Sequence, residues 1–109
     1  MSDCVFCKIV KGIIPVKPVV ETDDLFVLND IAPKAPIHQL IIPKKHIADI
    51  RLFSAEDLAL GTHVLTMAQS LSRAQGDIPF RLMMNNGFEA GQRVMHAHMH
   101  FLAGVQMTD

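Results

Sequence analysis

The chain has 109 residues, of which 50% are hydrophobic and 19% are charged, as expected for one globular domain. Its ten basic and eleven acidic side chains give a net charge of −1, and it contains no Trp or Tyr. Without a basic stripe or large stacking aromatics, the chain is poorly suited to bind a nucleic-acid polymer, although these observations do not exclude a single nucleotide.

The sequence also carries no signal for a membrane or for secretion. No hydrophobic run approaches the roughly 18 residues of a membrane-spanning helix, and the start of the chain lacks a basic segment followed by a hydrophobic one. The two cysteines, Cys4 and Cys7, are too close together to staple a small secreted fold. We therefore expect a cytoplasmic protein that does not bind membranes.

Hydrophobic periodicity and turn signals predict two helices and five strands. In chain order these are a short helix over residues 4–11, strands over 19–20, 25–28 and 38–42, a long helix from just after Ser54 to Ala74, and strands over 80–84 and 94–102. An acidic turn over residues 21–24 makes the first two strands a hairpin. Strand groups on either side of a long helix predict a single α+β domain over residues 1–109, with a mainly antiparallel sheet of about five strands.

The long helix has its own start signal and one hydrophobic face. Ser54 is a suitable N-cap, and Glu56 and Asp57 then lie in the first turn, near the positive end of the helix dipole. The hydrophobic face is predicted to comprise Leu58, Leu65, Met67 and Leu71.

Three histidines alternate near the end of the chain: His96, His98 and His100. On a β-strand they share one face at spacings of about 6.6 Å. Buried imidazoles need hydrogen-bond partners, and one strand face seldom supplies three sets, so core packing explains the pattern poorly. A metal site, a nucleophile with proton-handling neighbours, and a histidine-rich solvated edge are the competing interpretations. The loop just upstream, residues 85–92, contains two glycines and could turn backbone N–H groups towards an anion.

The segment GQRVMHAHMH, residues 91–100, resembles the signature of the histidine triad family, His-x-His-x-His followed by apolar residues. Residues 4–15, 30–38 and 42–46 are similar to the opening and middle segments of that family. They point to its Hint branch of purine nucleoside phosphoramidases. The resemblance covers nearly the whole chain.

The resemblance implies a hydrolase in which His98 attacks the α-phosphorus and forms a nucleotidyl-histidine intermediate, which water then hydrolyses. His38 would hold the far ring nitrogen of His98. The phosphate would be bound by His100, Asn85, Gly91, Gln92 and Arg93. Asp30 would take the ribose hydroxyls of an AMP-like purine nucleotide. The base would lie among apolar side chains at Phe6, Ile9, Ile14, Leu28 and Ile31.

The pair Cys4-x-x-Cys7 is by itself compatible with zinc binding, redox chemistry or chance. Zinc needs four ligands, and two histidines could complete the set. Similarity to zinc-binding members of the wider superfamily implies that these are His46 and His96, holding a structural zinc. In that case His96 must turn away from the face that carries His98 and His100.

Two departures from the family pattern leave the substrate open. Arg93 stands where similar proteins carry Ser or Thr, a hydroxyl that serves the scissile nitrogen, and arginine cannot readily donate a proton. The chain also ends at Asp109, without the tail that shapes the leaving-group site of many Hint proteins. A dinucleoside polyphosphate hydrolase, a non-catalytic nucleotide-binding or interaction module, and a hydrolase with an open zinc are therefore kept as alternatives. We also expect a homodimer that joins two sheets through the long helix and the neighbouring strand.

Overall fold

Five antiparallel strands form one sheet in the computed structural model, which describes residues 4–108. The strands are β1 (Val20–Glu21), β2 (Leu25–Asn29), β3 (Ile37–Pro43), β4 (Phe80–Met83) and β5 (Met99–Ala103), in the order β1-β2-β3-β5-β4. The described residues also form two α-helices, α1 (Val5–Val10) and α2 (Ala59–Ala74), and short 3-10 helices at Ile50–Leu52 and Phe88–Ala90. The predicted α+β fold, with one long and one short N-terminal helix, is confirmed.

The alternation of side chains along β2 divides the core into two clusters. Leu25 and Val27 pack in one cluster with the buried side of α2. Phe26 and Leu28 pack in the other with Phe6 of α1. The two helices therefore cover opposite faces of the sheet.

The long helix starts later than predicted. Its first residue is Ala59, and residues 55–58 form turns that lead into it. Ser54 nevertheless caps these turns, because its hydroxyl accepts a hydrogen bond from Asp57 N at 3.1 Å and the Asp57 carboxylate accepts one from Ser54 N at 3.0 Å. This reciprocal arrangement is that of a capping box.

Two of the four residues predicted for the hydrophobic face of the long helix are not buried. Leu58 and Leu65 are 54% and 56% exposed. The residues that α2 buries are Val64, Met67, Ala68 and Leu71. They follow the spacing i, i+3, i+4, i+7, whereas Leu65 is rotated by about 100° from Val64 and so lies off this stripe.

The last strand is shorter than predicted and begins at Met99 instead of Val94. Residues 94–96 bend, with His96 N donating to Val94 O at 2.9 Å, and Ala97 N then donates to Ile47 O at 2.8 Å. His96 is therefore outside the strand, and the prediction that the three histidines share one strand face is wrong.

Among residues 4–108, no helix is long and hydrophobic enough to cross a membrane.

Candidate active site

A cleft of about 420 Å³ opens on the α1 face of the sheet. Ten of the predicted site residues line it: Phe6, Ile9, Leu28, Asp30, Ile31, Asn85, Gly91, Arg93, His98 and His100. Seven further lining residues were not predicted from the sequence: Val5, Val16, Asn29, Lys34, Leu40, Met83 and Val94. Three predicted residues, His38, Ile14 and Gln92, do not line the cleft and have other positions, described below.

His98 is buried and has one ring nitrogen fixed by the backbone. Its Nδ1 lies 2.7 Å from the carbonyl oxygen of His96. A carbonyl only accepts hydrogen bonds, so Nδ1 carries the proton and the neutral ring keeps its lone pair on Nε2. The ring also has an edge-on contact with Phe6, at a centroid distance of 5.1 Å. The hydrogen bond from Nδ1 thus orients the ring of His98 and selects Nε2 as its nucleophilic nitrogen.

His38 contacts His100, and the prediction that it holds His98 is wrong. The His38 Nδ1 accepts a hydrogen bond from Lys34 N at 3.0 Å, so its Nε2 carries the proton in the neutral ring. This Nε2 lies 2.9 Å from His100 Nδ1 and 3.4 Å from the Asp30 carboxylate. The Lys34 amide therefore sets both tautomers, because His100 accepts through Nδ1 and must carry its proton on Nε2.

Burial keeps these two histidines neutral. Desolvation, with the charges of His98 and His38, lowers the pKa of His100 to about 4. Desolvation also lowers the pKa of His38, although the Asp30 carboxylate opposes this shift. Near pH 7 the His100 side chain is consequently a neutral N–H donor at the wall of the cleft.

The loop that carries Asn85 and Gly91 needs glycine for its shape. Gly91 has φ of 104°, in the left-handed region that favours glycine, and a Cβ there would lie 3.6 Å from the Asn85 side chain. Both residues line the cleft, as do the apolar Phe6 and Ile9. The loop therefore brings an amide side chain and a backbone without a side chain to the cleft that His100 also lines.

Gln92 braces this loop from behind, so its assignment to the phosphate site is wrong. The side chain is only 1% exposed. Its Oε1 accepts from Gly87 N at 2.8 Å, and its Nε2 donates to Ala48 O at 2.6 Å and Val94 O at 2.9 Å. Both polar atoms are engaged inside the protein, which leaves the side chain no free group for a ligand.

Ile14 also lies outside the lining of the cleft. After α1 the chain turns at Gly12, where φ is 77°, and Ile14 N donates back to Lys8 O at 3.2 Å. The turn brings Val16 to the cleft instead.

Arg93 lies at the rim of the cleft with its guanidinium turned onto the loop. The guanidinium carbon is 4.5 Å from the centroid of the Phe88 ring, and Nη1 donates to Phe88 O at 3.0 Å and to Gln92 O at 3.3 Å. A cation–π contact at an exposed site is worth about 0.5–1 kcal/mol. An anion at the rim could therefore compete for this side chain.

A second cluster brings together the four predicted metal ligands, Cys4, Cys7, His46 and His96. His96 Nδ1 lies 3.3 Å from Cys4 Sγ, 3.6 Å from Cys7 Sγ and 3.2 Å from His46 Nδ1, and Cys7 Sγ lies 3.3 Å from His46 Nδ1. Zinc bonds of about 2.3 Å to sulfur and 2.0–2.1 Å to nitrogen, at tetrahedral angles, place two nitrogens about 3.3–3.4 Å apart and a sulfur and a nitrogen about 3.5–3.6 Å apart. The spacing therefore fits a tetrahedral zinc.

The surroundings of His96 match a metal ligand as well. The side chain is fully buried, and its Nε2–H donates to Pro43 O at 2.7 Å. This bond leaves the lone pair on Nδ1, which faces the other three ligand atoms, and such outer contacts orient metal-bound histidines. As expected for a zinc ligand, His96 turns away from His98 and His100.

Comparisons with known proteins agree with this geometry. Residues 3–108 match the family model described as the scavenger mRNA decapping enzyme C-terminal binding domain. Over 104 residues the chain is 41% identical to an uncharacterised HIT-like protein of Synechocystis, an alignment that covers 94% of this chain and 91% of that protein. The chain belongs to the histidine triad (HIT) family.

Solved structures of HIT proteins have the same fold as this HIT chain. A HIT family hydrolase from Legionella pneumophila superposes with a TM-score of 0.92 at 44% identity, covering 97% of this chain and 96% of that one. A histidine triad protein from Clostridium difficile superposes with a TM-score of 0.94 at 34% identity, covering 100% and 96%. A HIT family hydrolase from Clostridium thermocellum also gives 0.94, at 37% identity and the same coverage.

The HIT signature of this protein is divided between two sites. His98 and His100 line the cleft, whereas the His96 side chain belongs to the cluster of predicted metal ligands and its backbone carbonyl contacts His98. The spacing of the signature gives no sign of this division, because it depends on the bend over residues 94–96.

Proposed function

We propose that this HIT protein is a nucleotide hydrolase that cleaves the bond between the α-phosphorus of an AMP-like nucleotide and its leaving group. The observation that carries the proposal is the contact of His98 Nδ1 with the His96 carbonyl oxygen at 2.7 Å, which leaves Nε2 as the nucleophile beside a nucleotide-sized cleft. Two of the similar structures are named HIT family hydrolases, which supports hydrolysis.

The proposed reaction has two transfers at phosphorus. His98 Nε2 forms a bond to the α-phosphorus as the bond to the leaving group breaks, and the leaving group departs with its electron pair, which for an amine takes up a proton from solvent. The imidazolium that forms keeps its proton on Nδ1, which continues to donate to the His96 carbonyl oxygen. Water then attacks the phosphorus and loses its protons to solvent. The phosphorus–nitrogen bond breaks, its electron pair returns to His98 Nε2, and AMP is released with the water oxygen on phosphorus.

The charge on the phosphoryl oxygens needs donors at the moment of transfer. His100 Nε2–H and the side-chain amide of Asn85 are suited to this role, together with backbone N–H groups near Gly91, because all three residues line the same cleft as His98. Asp30 lies beside them, where its carboxylate would accept hydrogen bonds from ribose hydroxyls. The apolar wall of Phe6, Ile9 and Leu28 would take the purine base.

We propose phosphoramidates and related adenylylated compounds as substrates, as in the Hint branch. One observation favours a second candidate, a dinucleoside polyphosphate. Arg93 lies at the rim where similar proteins have a hydroxyl, and a guanidinium can pair with the extra negative charge of a phosphoanhydride.

We propose that the second cluster holds one structural zinc per chain. Zinc would cross-link the segments of the folded chain that carry its ligands, and it would take no part in the reaction. The four ligand distances and the bond from His96 to Pro43 support this assignment. Elemental analysis of protein purified without chelator should find about one zinc per chain, and its absence would rule the site out.

We also propose a cytoplasmic homodimer. Two free cysteines that serve as metal ligands suit a reducing compartment. The edge strand β4 and two exposed leucines, Leu58 just before α2 and Leu65 within it, support a dimer that joins the two sheets beside this helix. Sedimentation of the protein at micromolar concentration should give a dimer, and a stable monomer would contradict this part of the proposal.

The function is tested by replacing the nucleophile. His98→Ala should abolish hydrolysis of adenosine phosphoramidate while AMP binding persists, and acid quenching of the wild-type reaction should trap labelled adenylate on the protein. His63→Ala is a matched control, since His63 is exposed on α2 and its one hydrogen-bond partner among residues 4–108 is Asp24. Normal single-turnover hydrolysis by His98→Ala would exclude the covalent mechanism. Assay of phosphoramidates against diadenosine polyphosphates decides between the two substrate classes.

A further inference from the structure

We propose that metal binding by Cys4, Cys7, His46 and His96 positions the nucleophile His98 and the base-binding wall. Nucleotide affinity should then depend on metal occupancy, beyond any effect of the metal on stability. The inference rests on the proposed nucleotide site and the proposed zinc site.

His96 connects the two sites through a single residue. Its side chain places Nδ1 within 3.2–3.6 Å of the other three ligand atoms. Its backbone carbonyl oxygen, in the same residue, accepts the bond from His98 Nδ1 at 2.7 Å. His96 N also donates to Val94 O at 2.9 Å, so the residue sits in a hydrogen-bonded bend. A metal that anchors its side chain would hold the Cα of His96 in place, and with it the carbonyl that sets the tautomer of His98.

Phe6 is the second connection. It lies between the two cysteine ligands in α1, and its ring has edge-on contacts with His98 at 5.1 Å and with His96 at 5.8 Å. The helix has only six residues, too few to be stable without tertiary contacts. Two metal ligands at its start would fix both its position and its rotation, and with them the Phe6 and Ile9 side chains that line the cleft.

The segment that carries His46 completes the connection. Pro43 O accepts the bond from His96 Nε2 at 2.7 Å, and Ile47 O accepts one from Ala97 N at 2.8 Å. Three chain segments, residues 4–7, 43–47 and 96–98, therefore meet at the metal-binding cluster. The cleft uses residues from the first and the third of these segments.

The test measures binding in both directions. Calorimetry with AMP on metal-free and zinc-loaded wild type should show AMP binding at least about tenfold tighter with zinc, and by linkage zinc should bind tighter with AMP by the same factor. In 15N-histidine NMR, His98 should show a fixed Nδ1–H tautomer only when zinc is bound. A folded metal-free protein with the zinc-loaded AMP affinity and His98 tautomer would overturn the proposal.

A ligand variant separates this effect from general effects of added zinc. His46 is exposed and is not among the residues that line the cleft, so His46→Gln removes one ligand without changing the cleft itself. In this variant AMP affinity should be weak. It should stay weak when zinc is added at concentrations below the raised Kd of the variant for zinc. The matched control is His63→Gln, which replaces an exposed histidine of α2 and should keep the full zinc response.

A second variant decides the question if the metal-free chain does not fold. Phe6→Leu keeps all four ligands and a hydrophobic side chain but removes the aromatic contact with His98. In the folded, zinc-loaded variant the His98 15N shifts should change and AMP affinity should fall by about tenfold, roughly what one buried aromatic contact supplies. Wild-type values of both would overturn the proposal, and Ile13→Ala, an exposed position after α1, is the control.

These readouts do not require turnover. If zinc changes the tautomer of His98 but no substrate is hydrolysed, the proposed function fails and the positioning role stands. If AMP does not bind at all, the proposed nucleotide site fails, and the His98 tautomer with and without zinc still decides the inference.

Discussion

The hydrogen bond between His38 and His100 should matter for the reaction more than for nucleotide binding. It links His38 Nε2 to His100 Nδ1 at 2.9 Å, and the Lys34 amide sets its direction from 3.0 Å away. Without it, the half-buried His100 ring would be free to move its proton to Nδ1, and its Nε2 would then no longer donate into the cleft.

The size of the effect follows from the groups involved. A buried acceptor left without its donor costs about 1–3 kcal/mol. If that cost appears only in the transition state, it corresponds to a loss of about 5- to 150-fold in kcat. Loss of a donor to a developing oxyanion has a similar or larger effect, about 100-fold or more, so we expect a loss near 100-fold.

Two substitutions of His38 distinguish the donor from the bulk of the ring. The amide of Gln reaches the position of an imidazole Nε2, so His38→Gln can still donate to His100. The amide of Asn reaches only the position of Nδ1, so His38→Asn can accept from Lys34 N but cannot reach His100. We expect His38→Gln to keep kcat within about tenfold and His38→Asn to lose about 100-fold.

The assay combines kinetics with a direct measure of the tautomer. The kcat for adenosine phosphoramidate, the Kd for AMP and the His100 15N shifts are compared for both variants and the wild type. AMP affinity should change little, while His100 should show mixed tautomers only in His38→Asn. Equal kcat in the two variants, or a better enzyme with Asn than with Gln, would refute the reasoning.

Three other predictions concern the loop, the pH dependence and the rim of the cleft. Gln92→Ala removes the side chain that forms three buried hydrogen bonds, so the free energy of unfolding in urea should fall by about 2–4 kcal/mol. A loss below about 1 kcal/mol would contradict the role of Gln92 as a brace. Because the pKa of His100 is lowered to about 4, the unfolded chain binds protons below pH 6.5 before the native one does. The stability that depends on the neutral His100 ring should be complete above pH 6.5 and lost as the pH falls towards 4. Between pH 7 and pH 5 the free energy of unfolding in urea should therefore fall less in His100→Asn than in the wild type. Equal falls in the two proteins would refute this prediction. Arg93→Ser should shift the ratio of kcat/KM towards phosphoramidates by about 100-fold; a shift of only a few-fold would mean that the guanidinium stays on Phe88.

Local patterns in the sequence were sufficient for the number and order of the α-helices and strands. Features that depend on neighbouring residues could be predicted without knowledge of the fold. They include the apolar runs that form β2 and β3, the Ser54 cap and the turn at Gly12. The resemblance to the HIT signature then placed ten side chains that the structure brings to one cleft.

Contacts between distant segments decided what remained. The start of β5 at Met99 depends on its pairing with β3 and on the bond from Ala97 N to Ile47 O, neither of which leaves a pattern in residues 94–102. From its position beside Gly91, Gln92 is predicted to bind phosphate. In the fold its amide instead donates to Ala48 O and Val94 O.

The roles of His38 and His96 show the same limit. The sequence by itself determined that the chain has the histidines, the cysteines and the glycine loop that this chemistry needs. The resemblance further implied that His96 joins Cys4 and Cys7 in a metal site. Only the tertiary structure decided that His38 bonds to His100, and that the His96 carbonyl holds His98. The physical reason is that hydrogen-bond direction and tautomer depend on a partner 62 residues away, as for His38 and His100, or on a backbone bend, as at His96, and spacing along the chain specifies neither.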